Sequence, residues 1–277
     1  MDRRALLAGA AAALSGCALR ETFAARMHGC VDAPVPPASG VRIERGVVPT
    51  RAVAATVRYA IAVPERASRV GAVAYLLPGR GGTADDAMNV GFAGFLAEHV
   101  RRGGTPFALA AIDAGETYFH RRASGEDRLH AATVDLPRIV RAVLGVTALR
   151  EALVGQSMGG YGALLAAERQ PRRFRAVAVA GPALFSSYAD EASSVGDAFD
   201  SAPDFARNDV IAHAAALRST PVLIYAGARD PFVPGDRLFA RAAPNARVVI
   251  APGCHDDGFW RATALPILAF VGARLRA

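Results

Sequence analysis

Short runs of apolar residues alternate along this chain with longer segments in which apolar residues recur every three or four positions. A short run bounded by Gly or Pro is typical of a strand buried on both faces, and the longer spacing is typical of a helix with one buried face. The strands predicted on this basis are residues 71–77, 107–112, 152–154, 175–180, 221–226 and 247–250. The helices predicted around them are residues 90–102, 129–144, 158–169, 237–242 and 258–274.

This alternation predicts an α/β fold, in which a mostly parallel central sheet carries helices on both faces. Residues 41–48 and 54–63 come before the alternation, and the turn residues between them favour an opening pair of antiparallel strands. Residues 182–220 separate two strands by more than an ordinary crossover, so we predict a small cap insertion there. Residues 41–277 are therefore predicted to form one domain with this cap.

The sequence Gly-Gln-Ser-Met-Gly at residues 155–159 follows one predicted strand and precedes the helix at 158–169. A Gly-x-Ser-x-Gly motif in this context is typical of a nucleophile elbow, a tight turn that lifts the serine hydroxyl clear of the sheet. The start of the following helix favours negative charge on Ser157 or on an oxyanion that it forms. We predict that Ser157 is a nucleophile; a chance match on a glycine-rich chain is the alternative.

A serine nucleophile needs a general base, and the base needs an acid that orients it. Where a nucleophile elbow is present, the three residues follow the order Ser, Asp, His, each in a loop after a strand. Asp230 and His255 occur in that order after the strands predicted at 221–226 and 247–250, in loops that contain Gly and Pro. We predict Asp230 as the acid and His255 as the base.

The other histidines and carboxylates have weaker contexts. His120 lies in an arginine-rich loop and is expected at the surface, with a place in the pocket as the alternative. Asp236 lies near the start of a helix, and Asp256 and Asp257 are expected to cap the final helix. The remaining histidines fall in the N-terminal segment or in or beside predicted helices: His28, His99, His130 and His213.

An acyl-transfer site also needs two donors for the oxyanion. One is the backbone N–H of Met158, after the nucleophile, and the other belongs to a loop after an earlier strand. The glycine-rich sequence at 77–82 has that position, so we predict the Arg80 N–H as the second donor, with Gly81 as the alternative. This loop also matches part of a dinucleotide-binding fingerprint, but Asp113 comes too late to be its acid. We therefore expect no bound cofactor.

The composition excludes several other chemistries. All 32 basic residues are arginines, so the chain has no Schiff-base lysine, no Ser-Lys dyad and no Walker lysine. The net charge is +7, but the arginines are dispersed rather than concentrated with aromatic residues, so we expect no nucleic-acid partner. The sequence contains no His-Glu-x-x-His and no paired Cys-x-x-Cys, so we expect no metal site.

Residues 1–17 are typical of an export signal. Arg3-Arg4 precedes a short alanine-rich stretch and indicates twin-arginine export. Leu-Ser-Gly-Cys at 14–17 resembles a bacterial lipobox, so Cys17 is predicted to carry lipid that anchors the protein to the outer face of the cell membrane. A cleaved signal peptide, with secretion, is the alternative. Residues 18–40 are predicted to be an extended linker.

Cys30 and Cys254 are the other two of the three cysteines. An exported protein can join them in a disulfide bond. Sequence separation alone does not place their Cα atoms within bonding distance, so a free buried thiol remains the alternative.

Together these motifs resemble those of the α/β-hydrolase-fold serine esterases, in the group that contains esterase D and the mycobacterial mycolyltransferases. In this group a His-x-x-x-x-Trp pattern follows the last strand, as His255 and Trp260 do here. The resemblance implies an α/β-hydrolase fold, with Ser157 as nucleophile, His255 as base and Asp230 as acid. It covers residues 45–275 and depends on the sequences at 77–82, 155–162, 225–231 and 255–260.

Three functions are compatible with this resemblance. We favour an exported serine hydrolase that cleaves a small-molecule or lipid carboxylic ester through an acyl-enzyme. Transfer of the acyl group to a sugar or lipid hydroxyl is the second, and a non-catalytic surface binding domain on a hydrolase scaffold is the third. The mycolyltransferases carry Glu where Asp230 stands, and residues 182–220 show no sign of a channel for a very long acyl chain. Both differences favour hydrolysis.

Overall fold

The computed structural model describes residues 29–65 and 70–276. Within them, eight strands form one sheet: β1 (Val41–Val47), β2 (Arg58–Pro64), β3 (Ala72–Leu77), β4 (Ala108–Ile112), β5 (Arg150–Gln156), β6 (Phe174–Ala180), β7 (Val222–Gly227) and β8 (Arg247–Ala251). Their spatial order is β1-β2-β4-β3-β5-β6-β7-β8. Strand β2 is antiparallel to its neighbours β1 and β4, and all other neighbours are parallel. The predicted mostly parallel sheet with an antiparallel opening is therefore confirmed.

Helices flank the sheet, and two of them correct the expected boundaries. The helix predicted at 90–102 spans Phe92–Arg101, and Gly91, with a φ of 122° that a helix interior does not accommodate, separates it from a helix at Ala84–Val90 that the sequence analysis did not predict. The helix predicted at 129–144 begins with a single α-helical turn at Arg128–His130 and continues through a π-helical turn at Ala131–Asp135. The helices are α1 (Ala84–Val90), α2 (Phe92–Arg101), α3 (Leu136–Leu144), α4 (Met158–Arg169), α5 (Tyr188–Ser194), α6 (Ala202–Asn208), α7 (Val233–Ala242) and α8 (Asp257–Arg274).

The sheet is buried on both faces, as its short apolar strands require. Alternate residues of β3 contribute to two separate hydrophobic clusters, with Val73 and Tyr75 in one and Ala72 and Ala74 in the other. The first cluster includes residues of α3 and α4, and the second includes residues of α1, α2 and α8. Parallel strands buried in this way align their carboxyl ends along one edge of the sheet, which is where loops carry functional side chains.

The described part of the predicted linker, residues 29–40, is fixed to the domain, and we call it the N-terminal strap. It has no helix or strand, as expected of an extended linker, but it packs against α2. The Val35 side chain lies so close to Gly91 that a Cβ atom there would be 2.7 Å from Val35 Cγ1. Pro36 O is similarly close to Gly94. Val35 and Pro36 of the strap therefore pack on the surface of the domain.

The predicted cap, residues 182–220, contains α5, α6 and a 3-10 turn at Ala214–Leu217. The predicted export signal and the predicted lipidation of Cys17 lie outside the described residues. Of the helices that are described, none combines the length and the apolar character that a membrane span requires.

Candidate active site

Ser157 occupies the turn between β5 and α4, with φ of 53° and ψ of −123°. The turn is possible because two neighbouring glycines allow very close backbone contacts. A Cβ atom on Gly155 would lie 2.2 Å from Gly159 O, and one on Gly159 would lie 1.9 Å from Leu77 O. The predicted elbow is thus present, and it directs Ser157 towards the carboxyl edge of the sheet.

The loops after β7 and β8 bring the predicted acid and base to Ser157. His255 Nε2 lies 2.8 Å from Ser157 Oγ, and His255 Nδ1 lies 2.8 Å from Asp230 Oδ2. The other Asp230 oxygen accepts the Phe232 N–H at 2.8 Å. The Asp230 side chain is fully buried, whereas 23% of the His255 side chain is exposed. The hydroxyl can therefore donate to Nε2 while Nδ1–H donates to the carboxylate.

Aromatic side chains hold the imidazole of His255 from two sides. Its ring centroid is 5.0 Å from that of Trp260, in an edge-on arrangement, and 5.2 Å from that of Phe232. Phe232 in turn packs edge-on against Phe185 of the cap segment. The His-x-x-x-x-Trp spacing of the sequence therefore places the indole against the imidazole.

Cys30 and Cys254 form a disulfide bond with their Cα atoms 5.0 Å apart. Of the two alternatives that the sequence left open, the structure has the bonded one. Asp256 lies within 4.8 Å of both sulfurs, but bonded sulfurs offer no thiolate to a metal ion.

The candidate oxyanion donors are the backbone N–H groups of Met158, after Ser157, and of Arg80, next to Gly79, where a Cβ atom would lie 3.9 Å from Ser157 Oγ. Met158 is the first residue of α4, so its N–H has no acceptor within the helix. The Arg80 N–H also has no acceptor in the described part of the chain. Gly81, the alternative donor, donates instead to Gly115 O at 2.7 Å. This leaves Met158 and Arg80 as the pair available to an oxyanion.

The Arg80 side chain connects the loop after β3 to the predicted cap. Its Nη2 lies 2.7 Å from Asp197 Oδ2 and 3.3 Å from Glu116 Oε2. These contacts are partly exposed, and they connect β3, the loop after β4 and the cap at one point. Nothing in the local sequence indicated the ion pair, because Arg80 and Asp197 are 117 positions apart.

His120 is buried, which corrects the expectation of a surface residue. Only 1% of it is exposed, its ring stacks on Phe199, and its Nε2 lies 3.0 Å from Asp204 Oδ2 in the cap. Burial lowers the pKa of His120 even though the Asp204 charge opposes that shift. Arg122 strengthens the same junction by donating to Asp200 and to cap carbonyls. The sequence shows acidic residues in the cap and arginines beside His120, but it does not show that these two segments meet.

Two other candidate carboxylates, Asp256 and Asp236, lie at the start of a helix. Asp256 accepts the Phe259 N–H and so caps α8, as predicted. Asp236 lies on α7 and is completely buried, and neither of its oxygens has a hydrogen-bond partner among the described residues. Burial, and secondarily the nearby charge of Asp230, raises the pKa of Asp236 to about 8. The sequence placed Asp236 near a helix start but did not reveal this burial.

Hydrogen bonds from a buried carboxylate through an imidazole to a serine hydroxyl are the arrangement used by hydrolases that form acyl-enzymes. On a mostly parallel sheet with the serine in a nucleophile elbow, this arrangement defines the α/β-hydrolase class. The chain belongs to the esterase family: the family model Esterase, described as "Putative esterase", matches residues 112–251, just over half of its length. It is thus a carboxylic-ester hydrolase. Among curated proteins, none matches the chain significantly.

Solved structures with this fold include esterases of several kinds. A ferulic acid esterase superposes with a TM-score of 0.74 at 18% identity, over 85% of this chain and 99% of the other. An S-formylglutathione hydrolase from Agrobacterium tumefaciens gives 0.70 at 17% identity, over 86% and 96% of the two chains. MPT51 (FbpC1) of Mycobacterium tuberculosis gives 0.69 at 18% identity, over 85% and 99%. These similarities agree with the α/β-hydrolase fold and with the group of esterases that the motifs resemble.

Proposed function

We propose that this protein is an exported esterase that cleaves carboxylic esters with Ser157, His255 and Asp230 as a catalytic triad. The observation that carries the proposal is the pair of 2.8 Å contacts that link Asp230 to His255 and His255 to Ser157. The positive φ of Ser157 adds support. A strained backbone of this kind costs about 1–3 kcal/mol, and a serine with only a structural role has no need of it.

Acylation follows from this geometry. Ser157 Oγ attacks the carbonyl carbon of the ester while its proton passes to His255 Nε2. Asp230 accepts the Nδ1–H throughout and stabilises the imidazolium that forms. The imidazolium then gives its proton to the alcohol oxygen as the C–O bond breaks. The products of this step are the free alcohol and an acyl-Ser157 ester.

The oxyanion of each tetrahedral intermediate is placed between the N–H groups of Met158 and Arg80. Both donors are fixed before substrate arrives, Met158 by α4 and Arg80 by its loop and its ion pair with Asp197. Losing one preorganised donor of this kind costs about 10²–10³-fold in kcat, so both are expected to contribute strongly.

Deacylation decides between hydrolysis and acyl transfer. His255 takes a proton from water, the water oxygen attacks the acyl carbon, and Ser157 Oγ leaves with the proton returned by His255. A sugar or lipid hydroxyl in place of water gives acyl transfer by the same steps. We favour water, because the His255 side chain is partly exposed and solvent can reach the imidazole directly. Hydrolysis therefore requires no further binding group.

Export is supported by the disulfide between Cys30 and Cys254, since such bonds persist in oxidising compartments. The proposed location is the outer face of the cell membrane, where lipid on Cys17 anchors the protein. If Cys17 is removed with a cleaved signal peptide, the protein is secreted instead. Radiolabelled fatty acid should enter the wild-type protein and be absent from Cys17→Ser. Unlabelled protein in the membrane fraction would contradict the lipid anchor.

The catalytic proposal is tested with a fluorophosphonate probe and a short-chain aryl ester. Wild-type protein should be labelled and should release the phenol, whereas Ser157→Ala should lose labelling and about 10⁴-fold or more in kcat. Ser124→Ala, an exposed serine in the loop after β4, is the matched control and should behave like the wild type. Equal labelling of Ser157→Ala would mean that another residue is the nucleophile, and no labelling and no turnover by the wild type would favour a non-catalytic binding domain. An added sugar alcohol that becomes acylated would show transfer.

A further inference from the structure

The N-terminal strap is covalently joined to the loop that carries the base. Cys30 is bonded to Cys254, which directly precedes His255 in the chain. Beside it, Gly29 packs on Arg229, because a Cβ atom on Gly29 would lie 3.4 Å from Arg229 Nε. Arg229 directly precedes the acid. One short segment therefore contacts both loops that supply the base and the acid.

The strap also contacts the start of α8, on the other side of the base. Val31 O lies so close to Gly258 that a Cβ atom on that glycine would be 2.4 Å from it. Asp32 accepts hydrogen bonds from Arg261 at 2.6 and 3.1 Å. The base loop is consequently held by the strap both before and after His255.

Besides the rings of Trp260 and Phe232, which flank the imidazole, and Gly227, which packs against the backbone of Gly253 and Cys254, few described contacts restrain this loop. Gly253 O accepts the Arg229 N–H at 3.0 Å. Within the described ranges, neither Cys254 nor His255 makes a backbone hydrogen bond, and the polar contacts of the imidazole are those to Ser157 and Asp230. Among the contacts of the residues adjacent to His255 in sequence, the disulfide bond of Cys254 is therefore the strongest restraint.

We propose that the N-terminal strap is a positioning element, which holds His255 in line with Ser157 and Asp230 through the Cys30–Cys254 bond. The esterase then reaches full activity when this bond is formed, and it slows when a dithiol reduces the bond. The inference rests on the proposed function of Ser157 and His255. It adds a dependence on thiol redox state that the catalytic groups do not have by themselves.

The redox step is ordinary thiol–disulfide exchange. A thiolate of the dithiol attacks one sulfur of the pair, forms a mixed disulfide and releases the other cysteine as a thiolate, which takes up a proton. The second thiol of the reagent then displaces the first cysteine and leaves the reagent oxidised. Two electrons pass from the dithiol to the cysteine pair. Both Cys30 and Cys254 are partly exposed, so a small dithiol can reach them.

The test compares Cys30→Ser, Cys254→Ser and the double variant with the wild type, using the aryl ester at 25 °C. A loosened base should lower kcat about tenfold with little change in KM, since small misplacements of a catalytic group are costly. The decrease should be equal in all three variants, because each breaks the same bond. Dithiothreitol should lower the kcat of the wild type equally, oxidised glutathione should restore it, and the double variant should respond to neither.

Stability is measured in parallel to separate positioning from general stabilisation. If the variants melt at a lower temperature but keep the wild-type kcat at 25 °C, the bond only stabilises the fold and the proposal is overturned. Should the variants fail to fold, reduction of folded wild-type protein gives the same comparison. The downfield Nδ1–H proton resonance of His255, assigned with His255→Ala, should broaden or vanish on reduction. That resonance does not depend on turnover, so it tests the positioning role of the strap directly. An inactive wild type would refute the proposed function, and the resonance would still support or overturn the positioning role.

Discussion

Ser157 and His255 contact each other, yet the chain holds them in different ways. Ser157 is placed by residues adjacent to it in sequence and by β3, through glycines pressed against neighbouring backbone. His255 is placed by contacts with distant parts of the chain: its preceding cysteine is bonded to a residue 224 positions away. The nucleophile side of the site is thus determined by the residues of the elbow and the strand beside it, whereas the base side depends on a covalent bond to a segment far away in sequence. Substitutions on the two sides should therefore differ in how they change the free energy of unfolding and kcat.

The largest effect is expected on the nucleophile side, from Gly159→Ala. The added Cβ atom would lie 1.9 Å from Leu77 O, and backbone on both sides of the contact leaves no flexible group to yield. We expect a loss of at least about 3 kcal/mol in the free energy of unfolding, or no folded protein, and loss of ester hydrolysis with it. Urea unfolding and the aryl-ester assay measure both.

Gly71→Ala is the matched control for that substitution. Gly71 precedes β3, and a Cβ atom there would meet nothing within 4 Å. The free energy of unfolding of Gly71→Ala should remain within about 0.5 kcal/mol of the wild-type value, as for an unconstrained surface position. A Gly159→Ala protein as stable as Gly71→Ala would show that the elbow is not held by close backbone contacts.

This difference also explains how much the sequence could predict. The elbow was predictable at Ser157 because its determinants are five consecutive residues between a strand and a helix. Asp230 and His255 were identifiable because loop order along a parallel sheet is fixed. The strap and the burial of His120 were not, because both depend on which distant segments meet. Gly91 separates α1 from α2 through a backbone angle that apolar periodicity does not encode.

The next effect is expected on the base side, from Asp230→Asn. The amide keeps the shape of the carboxylate but cannot stabilise the imidazolium, and it favours the wrong tautomer of His255. We expect kcat to fall about 10³–10⁴-fold while the free energy of unfolding changes little in comparison with Gly159→Ala. The aryl-ester assay and urea unfolding should separate the two sides of the site in this way.

Asp256→Asn controls for an isosteric change beside the base. Asn caps helices as well as Asp does, so α8 should retain its cap and kcat should stay within about twofold. If Asp230→Asn were no slower than Asp256→Asn, another residue would have to orient His255.

The smallest of these effects concerns Asp236, a second buried carboxyl group on the base side. Its pKa is raised to about 8 by burial and by the charge of Asp230. The unfolded chain releases this proton near pH 4, whereas the folded protein keeps it until about pH 8, so unfolding releases a proton between these values. Asp236 therefore makes the folded protein less stable as the pH rises from about 4 to about 8. Asp236→Asn has no proton to release and should not show this loss.

The sharpest measurement is the difference in unfolding free energy between Asp236→Asn and the wild type at pH 5 and at pH 7. Linkage gives at most about 1.4 kcal/mol per pH unit for one group, so the difference should grow by about 2 kcal/mol in favour of the variant. Asp236→Ala should lose packing and start from a lower stability, yet show the same growth, because the slope depends on the missing proton alone. A difference independent of pH in both variants would mean that Asp236 is ionised in the folded protein. The base side would then contain two carboxylates whose repulsion some further contact offsets.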